Sequence, residues 1–443
     1  PTRTYLSPGR RTVTLTATNA FGSNAYSVTL TVVPVPSAQA PRPDGMTVEL
    51  EAYFNGSWFA LSCDVSNMSW TWGAQGNQGL LTQQEAGSLS AQIFDPDRTY
   101  DPRNQSGSLY GVWDIGTQVR AKLQGIVCFT GRVTDITHAL DRAHGIDFVT
   151  IAATDTVGTF GRYGTETTTG VTRGAETTSA RITGLADAMA WPAGSRDIGT
   201  TGALTLYGAT IEDSIWAAMQ EVAVQELGRL QVTQAGTLHF RTRSVAWATA
   251  STSLTLGCDG QIEVEGLDLS SDASALVNAL AYNYQGSGVG DILASDATSI
   301  ATYGTWTAAK TDLLLGTTST DPGNWATFVL NRQKVPMYGV KSAVFQVGSA
   351  MASTVAGALM GDRWRVRDEH HGPMLDVVQR LLGLAYNVGP SRVVVTATLG
   401  EDYGLAGTDR QAVYDLAADW AAAAAFGNVN ATGVSGSLVP SVV

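Results

Sequence analysis

The feature that most constrains this chain is a run of short, closely spaced β-segments that begins at Met46. The segments TVELEAYF and WFALSCDV are joined by Asn55-Gly56, a dipeptide that strongly favours a two-residue hairpin turn. Further β-segments follow at short intervals: SLSAQIFD, TQVRAKLQ, IVCFTGRVTDITHAL and DFVTIAATD. Closely spaced strands with short turns predict a barrel or a sandwich. The 48 glycines agree with this, because glycine favours turns over long helices.

Residues 4–33 carry a separate pattern, in which β-branched and polar residues alternate with period two. Val13 and Leu15 would face one side, and Val28 and Leu30 repeat the pattern after a turn at NAFGSN. This predicts a β-hairpin, which is too small to be stable alone. The segment resembles the last strands of a PKD-type immunoglobulin-like domain, and the resemblance implies a partial domain of that kind.

Helical periodicity appears only later in the chain. Residues 178–191 and 210–230 carry apolar residues at three- and four-residue spacing, and residues 322–334 predict one short helix. Thr210 with Asp213 resembles a capping box, in which the first side chain accepts a backbone N–H of the first turn. We expect these helices to pack on a small sheet that includes LQVTQAGTLHFRTR. The predicted fold class is therefore mainly β with α+β insertions, in several domains.

Charge and cysteine content argue against several classes of protein. The formal net charge of −12 disfavours nucleic-acid binding by phosphate neutralisation, which needs a basic surface. Cys63, Cys128 and Cys258 are far apart and form no CxxC pair, so we expect buried free thiols and neither a zinc site nor a disulfide framework. We find neither a basic-then-apolar leader nor a long apolar run, so nothing in the sequence indicates secretion or membrane spanning. The first residue, Pro1, favours a processed chain or a piece of a longer one.

The segment FDPDRTYDPRNQSGSLYG places Asp95, Asp97 and Asp101 within seven positions. A calcium-binding EF-loop requires Gly at its sixth position and Glu at its twelfth. Tyr100 and Ser106 stand there instead. Asp-Pro steps initiate turns, because proline fixes φ while the Asp side chain accepts nearby backbone N–H groups. A rigid structural turn is the favoured interpretation, and calcium is the alternative that the sequence leaves open.

A second polar cluster, RDEHHG, contains Asp368, Glu369, His370 and His371. Adjacent side chains of a strand face opposite ways, so the two histidines would not converge on one metal ion without a loop. A polar turn between strands is the favoured interpretation.

No enzyme signature is present in the sequence. HExxH, GxSxG, Walker A and GxGxxG motifs are absent, and we predict no catalytic, cofactor-binding or metal-binding residue. Trp58, Trp70 and Trp72 could line a sugar-binding surface, although such side chains more often seal a core or an interface. Asn67 matches a glycosylation sequon, which carries little weight without a signal peptide.

Three stretches together resemble the tail-hub family of tailed bacteriophages, also called baseplate hub or minor tail proteins. The first spans residues 89–136, where LSAQIFDPDRTYDPRNQSGSLYG precedes GTQVRAKLQ and CFTGRVTDI. The second is ASDATSIATYGTW (294–306), followed by NWATFVLNRQKVP. The third is GDRWRVRD, followed by GLAYNVGPSRVVVTATLG (383–400). The order and spacing of these stretches carry the resemblance.

The resemblance implies a homotrimeric hub at the tail tip of the virion. Two barrel-like domains per subunit would form a pseudo-sixfold ring that continues the tail tube, with the helical insertion outside. Such a hub starts tail assembly around the tape-measure protein and opens a channel for genome exit. Its other implied partners are the distal tail protein or tail tube protein and tip or fibre proteins, with DNA only in transit. A net acidic chain suits a conduit that DNA slides through.

The main prediction is a non-enzymatic virion protein that joins tail tube to tip and forms or gates the channel. A carbohydrate-binding adhesion module, suggested by the PKD-like hairpin and the tryptophans, is the alternative, and a cell-wall hydrolase is the third.

The predicted segments are a partial PKD-like β-segment (1–34), a Pro-rich linker (35–45), hub β-barrel domain I (46–157, with 258–285 as a candidate completion), an α+β insertion domain (158–257), an α+β hub domain (286–345), a second hub β-barrel domain (346–405), and an Ala-rich helix with a C-terminal linker (406–443).

Overall fold

The structure is a computed structural model that describes two N-terminal strands and most of residues 42–402. The described ranges are 9–19, 22–32, 42, 44–61, 67–76, 79–95, 98–141, 146–163, 171–211, 214–248, 252–257, 260–273, 275–285, 291–315, 320–368, 375–389 and 391–402.

The N-terminal segment forms the predicted hairpin. Gly9–Asn19 (β1) pairs antiparallel with Gly22–Val32 (β2), and Val13 lies opposite Val28. The alternating pattern therefore identified both strands correctly. Assignment of this hairpin to a PKD-type domain stays a prediction.

The strands that follow come in two groups, separated by a mixed helical and β region. The first group is Val48–Phe54 (β3), Ser57–Ala60 (β4), Met68–Gly73 (β5), Ser88–Phe94 (β6), Gln118–Leu123 (β7), Ile126–Asp141 (β8) and Ile146–Asp155 (β9). The mixed region contains Thr156–Tyr163 (α1), Val171–Arg173 (β10), Glu176–Thr177 (β11), Thr178–Ala188 (α2), Arg196–Ile198 (β12), Thr205–Leu206 (β13), Ala209–Ile211 (β14), Ile215–Glu226 (α3), Arg229–Val232 (β15), Leu238–Arg241 (β16) and Arg243–Ala246 (α4). The rest of the described chain contains Leu254–Gly257 (β17), Val264–Asp272 (β18), Ala279–Tyr284 (β19), Ile292–Ser295 (β20), Ala297–Tyr303 (α5), Thr307–Leu313 (β21), Thr320–Gln333 (α6), Met337–Gln346 (β22), Ala352–Ala356 (α7), Arg363–Asp368 (β23), Leu375–Val388 (β24) and Val393–Glu401 (β25).

A 13-stranded sheet dominates the molecule and confirms the mainly β fold class. Its main path runs β18-β22-β25-β24-β5-β6-β9-β8-β7-β3-β4, while β23 pairs with β24 and β17 pairs with β23. The two regions predicted to be barrel-like share this sheet, because β5 pairs antiparallel with β24. Among the described strands the path is open, with β4 at one end and β18 at the other.

Local sequence explains the first hairpin of this sheet. Asn55 and Gly56 have φ of 48° and 84°, and positive φ at both central residues is what a type I′ turn requires. Their turn joins β3 to β4, as the dipeptide predicted. Inward residues of the sheet, such as Trp70 and Trp364, form one large hydrophobic core together with Trp113 of the loop before β7.

A second core lies among the helices. Met219 of α3 and Trp325 of α6 are fully buried in it, together with apolar residues of two small sheets, β12-β16-β15 and β20-β19-β21. The predicted helices at 178–191 and 322–334 are observed as α2 and α6. The small sheet expected from LQVTQAGTLHFRTR is also confirmed, since it supplies β15 and β16.

The capping-box prediction was wrong. Thr210 lies in β14, where its hydroxyl is 3.3 Å from the Thr172 hydroxyl of the paired strand β10. The N-cap of α3 is Ser214, whose hydroxyl accepts a hydrogen bond from the Ala217 N–H at 3.1 Å. Strand pairing at Thr210 overrides the local helix signal, and Asp213 lies outside the described residues. Among the described residues, no helix has both the length and the apolar character needed to cross a membrane.

Candidate interaction sites

The aspartate-rich loop after β6 is held by its own backbone. Asp95 is buried, and its two carboxylate oxygens accept hydrogen bonds from the backbone N–H groups of Thr99 at 2.6 Å and Tyr100 at 3.0 Å. The Tyr100 ring packs edge-on against Trp113, whose indole N–H donates to the Tyr100 carbonyl at 3.0 Å. The Asp95 carboxylate therefore fixes the turn and anchors it to the core.

Asp101, in the same loop, is surrounded by basic side chains. Its carboxylate accepts the Arg103 backbone N–H at 2.9 Å, forms an ion pair with Arg98, and lies 3.7 Å from His138 Nε2. Burial alone would raise the pKa of Asp101, but the hydrogen bonds from Arg103 and Arg98 outweigh burial and hold the pKa below its usual 3.8. The turn interpretation is confirmed for Asp95 and Asp101. Asp97 lies outside the described residues.

The other predicted polar candidates do not assemble into a site in the described part of the chain. Asp368 ends β23, and Glu369, His370 and His371 lie outside the described residues. Within the ranges that the structure describes, no three His, Cys, Asp or Glu side chains come together as metal ligands.

Of the three cysteines, only Cys128 falls within the described residues, and Cys63 and Cys258 do not. Cys128 is a buried free thiol. Burial raises its pKa to about 12, because a thiolate would lose its hydration there. This cysteine is a core residue without nucleophilic character at neutral pH.

The three tryptophans do not form a sugar-binding surface. Trp70 is buried and stacks on Tyr386 with ring centroids 4.6 Å apart. Trp72 is buried too, and its indole N–H donates to the Val232 carbonyl at 2.7 Å. Only Trp58 is partly exposed, and Arg120 covers its ring at 4.1 Å. Two of the three rings therefore seal the core, which removes the sugar-surface hypothesis.

The open ends of the 13-stranded sheet are the first candidate assembly surface. In β4, the Leu61 N–H that follows the strand donates to Leu50 of β3 at 2.8 Å. Because hydrogen-bonded and non-hydrogen-bonded positions alternate along an antiparallel strand, the Ala60 N–H points away from β3. In the described part of the chain nothing pairs with that edge. Such a row of free backbone groups is a template for another strand.

A surface groove between β3 and the loop before β7 is the second candidate assembly surface. It has a volume of about 820 Å³ and is lined by Tyr53, the Tyr110–Gln118 loop and Arg132. Tyr53 and Ile115 expose 39% and 64% of their surface, so the groove presents apolar side chains to solvent. Exposed apolar groups that cluster in a groove are typical of a protein-contact surface.

Comparison with known proteins identifies solved structures that share the fold of this chain, but it identifies no sequence family. No family model matches the chain, and no curated protein matches it. Among solved structures, a tail protein from Neisseria meningitidis is 16% identical, with a TM-score of 0.56 over 80% of this chain and 97% of that one. The 43 kDa tail protein of prophage MuSo2 from Shewanella oneidensis is 12% identical, with a TM-score of 0.53 over 81% and 99%. The chain shares its fold with these two tail proteins.

Sequence reasoning missed the features that depend on distant segments. The groove combines β3 with the loop before β7, and a basic cavity combines Arg229, Arg363 and Arg380 from β15, β23 and β24. Local periodicity contains no signal for either. The free edges were indicated only indirectly, by the many short strands.

Proposed function

We propose that this chain is a non-enzymatic structural protein of a phage-type tail, acting as the hub at the tail tip. The observation that carries the proposal is the shared fold, which extends over 97% and 99% of two tail proteins. The tail-hub motifs of the sequence support the finer assignment to a hub or minor tail protein. In this role the protein joins the tail tube to the tip and forms or gates the channel for genome exit.

The proposed assembly is a homotrimeric ring. The two ends of the sheet's main path, β4 and β18, are different strands, so a contact between them is head-to-tail. Head-to-tail contacts generate a closed ring when the rotation per subunit fits. The number three follows from the tail-hub resemblance. The partners proposed with it are the tape-measure protein, the tube or distal tail protein, and tip or fibre proteins.

The acidic chain supports passage of DNA without tight binding. A net charge of −12 gives little phosphate neutralisation, which is the main source of nonspecific affinity for DNA. The burial of Trp70 and Trp72 leaves the adhesion alternative without its sugar surface, and no feature of the described chain favours the hydrolase alternative.

Mass and shape in solution test this proposal. Light scattering after gel filtration should give three times the 46.5 kDa subunit mass, and negative-stain images should show a threefold ring. The variant Ala60→Pro removes the N–H that faces the open edge and should yield monomers. Ala60→Ser keeps that N–H and should leave the ring intact. A wild-type protein that stays monomeric across the micromolar range contradicts the trimer.

A further inference from the structure

A cavity of about 230 Å³ lies between the insertion region and the main sheet. One wall is formed by β15 and β16, and the other by the turn before β23 together with β24. The cavity is lined by four arginines, Arg229, Arg241, Arg363 and Arg380. Asp362 is its one acidic lining residue among those described. The cavity is far larger than a single water molecule requires.

Most of these arginines are neutralised inside the protein. Arg380 and Arg363 share the Asp402 carboxylate, at 2.7 Å and 2.6 Å. Arg241 pairs with Asp197 at 2.6 Å. Their charges are therefore compensated locally.

Arg229 differs from the other three. Its guanidinium donates to the Met360 carbonyl at 3.1 Å and lies 4.8 Å from the centre of the Trp247 ring. Among the described residues no carboxylate is within ion-pair distance of it. A guanidinium has five N–H donors, so most of the Arg229 donors have no protein acceptor in the described chain.

The backbone opposite Arg229 is shaped to admit this side chain. A Cβ atom on Gly361 would lie 1.0 Å from Arg229 Nη1, so any larger residue here would displace the guanidinium from its present position. Gly361 also has a φ of 89°, in the region that glycine adopts without strain.

Electrostatics agree with a cation that is only partly compensated. Burial and the nearby positive charge of Arg380 lower the pKa of Arg229 to about 9, although the carboxylates of Asp362 and Asp402 act to raise it. His239, which also lines the cavity, adds no positive charge near neutral pH, because burial lowers its pKa to about 4. Burial raises the pKa of Asp362, the acidic residue of the cavity wall, although the charges of Arg229 and Arg380 act to lower it.

We propose that this cavity binds a small tetrahedral oxyanion of the phosphate class, with Arg229 as its principal ligand and Arg363 and Arg380 on the opposite wall. Arginine suits this role, because its planar fork donates two parallel hydrogen bonds to an oxyanion. A bound anion would link the insertion region to the main sheet. The inference is independent of the proposed assembly, since all of its ligands lie in one subunit.

Calorimetric titration of the full chain with inorganic phosphate, in chloride buffer at fixed ionic strength and pH 7, tests the proposal. The wild-type protein should show saturable binding, and Arg229→Gln should weaken it at least tenfold. Gly361→Ala, which displaces the guanidinium, should weaken it as well. Arg392→Gln removes an exposed arginine that pairs with Glu265, and it should bind like the wild type.

Three results would overturn the proposal: no saturable binding by the wild type, equal binding by Arg229→Gln, or binding of acetate but not of phosphate. Hydrogen–deuterium exchange of the wild type alone gives a second readout if the variants do not fold. Phosphate should then protect the backbone of 229–232 and 359–363. Protection confined to other segments contradicts the site.

Discussion

Buried carboxylates of this protein divide into two kinds, according to the donors that surround them. Asp101 lies among guanidinium and backbone N–H groups, and its pKa is lowered. Asp155, at the end of β9, accepts only backbone N–H groups, including Gly158 N–H at 2.9 Å. Burial there raises the pKa to about 6. Ionised Asp101 therefore stabilises the fold, whereas ionisation of Asp155 destabilises it.

Replacing Asp101 by Asn should destabilise the protein by about 1–3 kcal/mol at pH 7, because Arg98 and Arg103 lose a charged acceptor that is buried beside them. A lowered pKa contributes stability above the unfolded value of 3.8, and this contribution is lost as pH falls below it. The wild-type advantage over Asp101→Asn should therefore shrink below about pH 4. Urea unfolding at several pH values measures both effects. The control Asp135→Asn alters an exposed carboxylate and should cost less than about 0.5 kcal/mol.

Asp155→Asn should have the opposite pH signature. With a folded pKa near 6 and an ordinary value of 3.8, native Asp155 binds a proton that the unfolded chain has released, so wild-type stability falls as pH rises from about 4 to 6. The variant cannot ionise, and its stability relative to wild type should rise across this window by up to about 3 kcal/mol. Denaturant unfolding from pH 4 to 7 is the measurement. Parallel curves for the two proteins would show that Asp155 does not titrate there.

At the scale of elements, the junction of β5 and β24 unites the two halves of the main sheet. Gly73 and Gly383 lie directly opposite each other there. A Cβ atom on Gly383 would lie 2.3 Å from the Ala74 carbonyl oxygen, well inside contact distance. Two facing glycines thus allow the strands to approach where side chains would separate them.

Gly383→Ala should therefore destabilise the sheet at this junction by about 1–3 kcal/mol, the usual cost of overpacking. Chemical unfolding gives the magnitude, and hydrogen exchange should show the loss of protection concentrated in β5 and β24. Gly76→Ala is the matched control, because a Cβ atom there meets nothing within 4 Å. Equal stability of the two variants would contradict the close packing.

Sequence patterns identified elements better than their arrangement. Asn55-Gly56 predicted its hairpin because the turn depends on two residues alone. The capping-box prediction at Thr210 failed because the partner of Thr210, Thr172, is 38 positions away. Pairing with that strand cannot be inferred from local spacing. For the aspartate loop, the prolines and the missing Gly and Glu were sufficient to predict a turn. The Arg229 cavity could not be predicted from the sequence, because the space for the Arg229 guanidinium depends on Gly361 in a distant segment.

At the scale of the whole molecule, buried amides join the insertion region to the main sheet. Gln84 pairs with both backbone groups of Val232, donating to its carbonyl at 2.9 Å and accepting its N–H at 2.5 Å. Gln234 donates to the Ala356 carbonyl at 2.8 Å and accepts the Tyr386 hydroxyl at 2.8 Å. Buried polar groups with complete hydrogen bonding specify a unique arrangement, so these contacts should make both regions unfold together.

Gln234→Ala tests this coupling. The variant leaves the Ala356 carbonyl without its side-chain donor and removes one acceptor from the Tyr386 hydroxyl, and each buried group left without a partner costs about 1–3 kcal/mol. The hydrogen bonds that are lost connect the two regions and do not lie within either one. We therefore expect a lower melting temperature and a van't Hoff enthalpy that falls below the calorimetric enthalpy, since the insertion region would unfold first. Differential scanning calorimetry measures both quantities, with the exposed Gln285→Ala as control. A variant that melts in one two-state transition at the wild-type temperature would show that the two regions are joined by apolar packing alone.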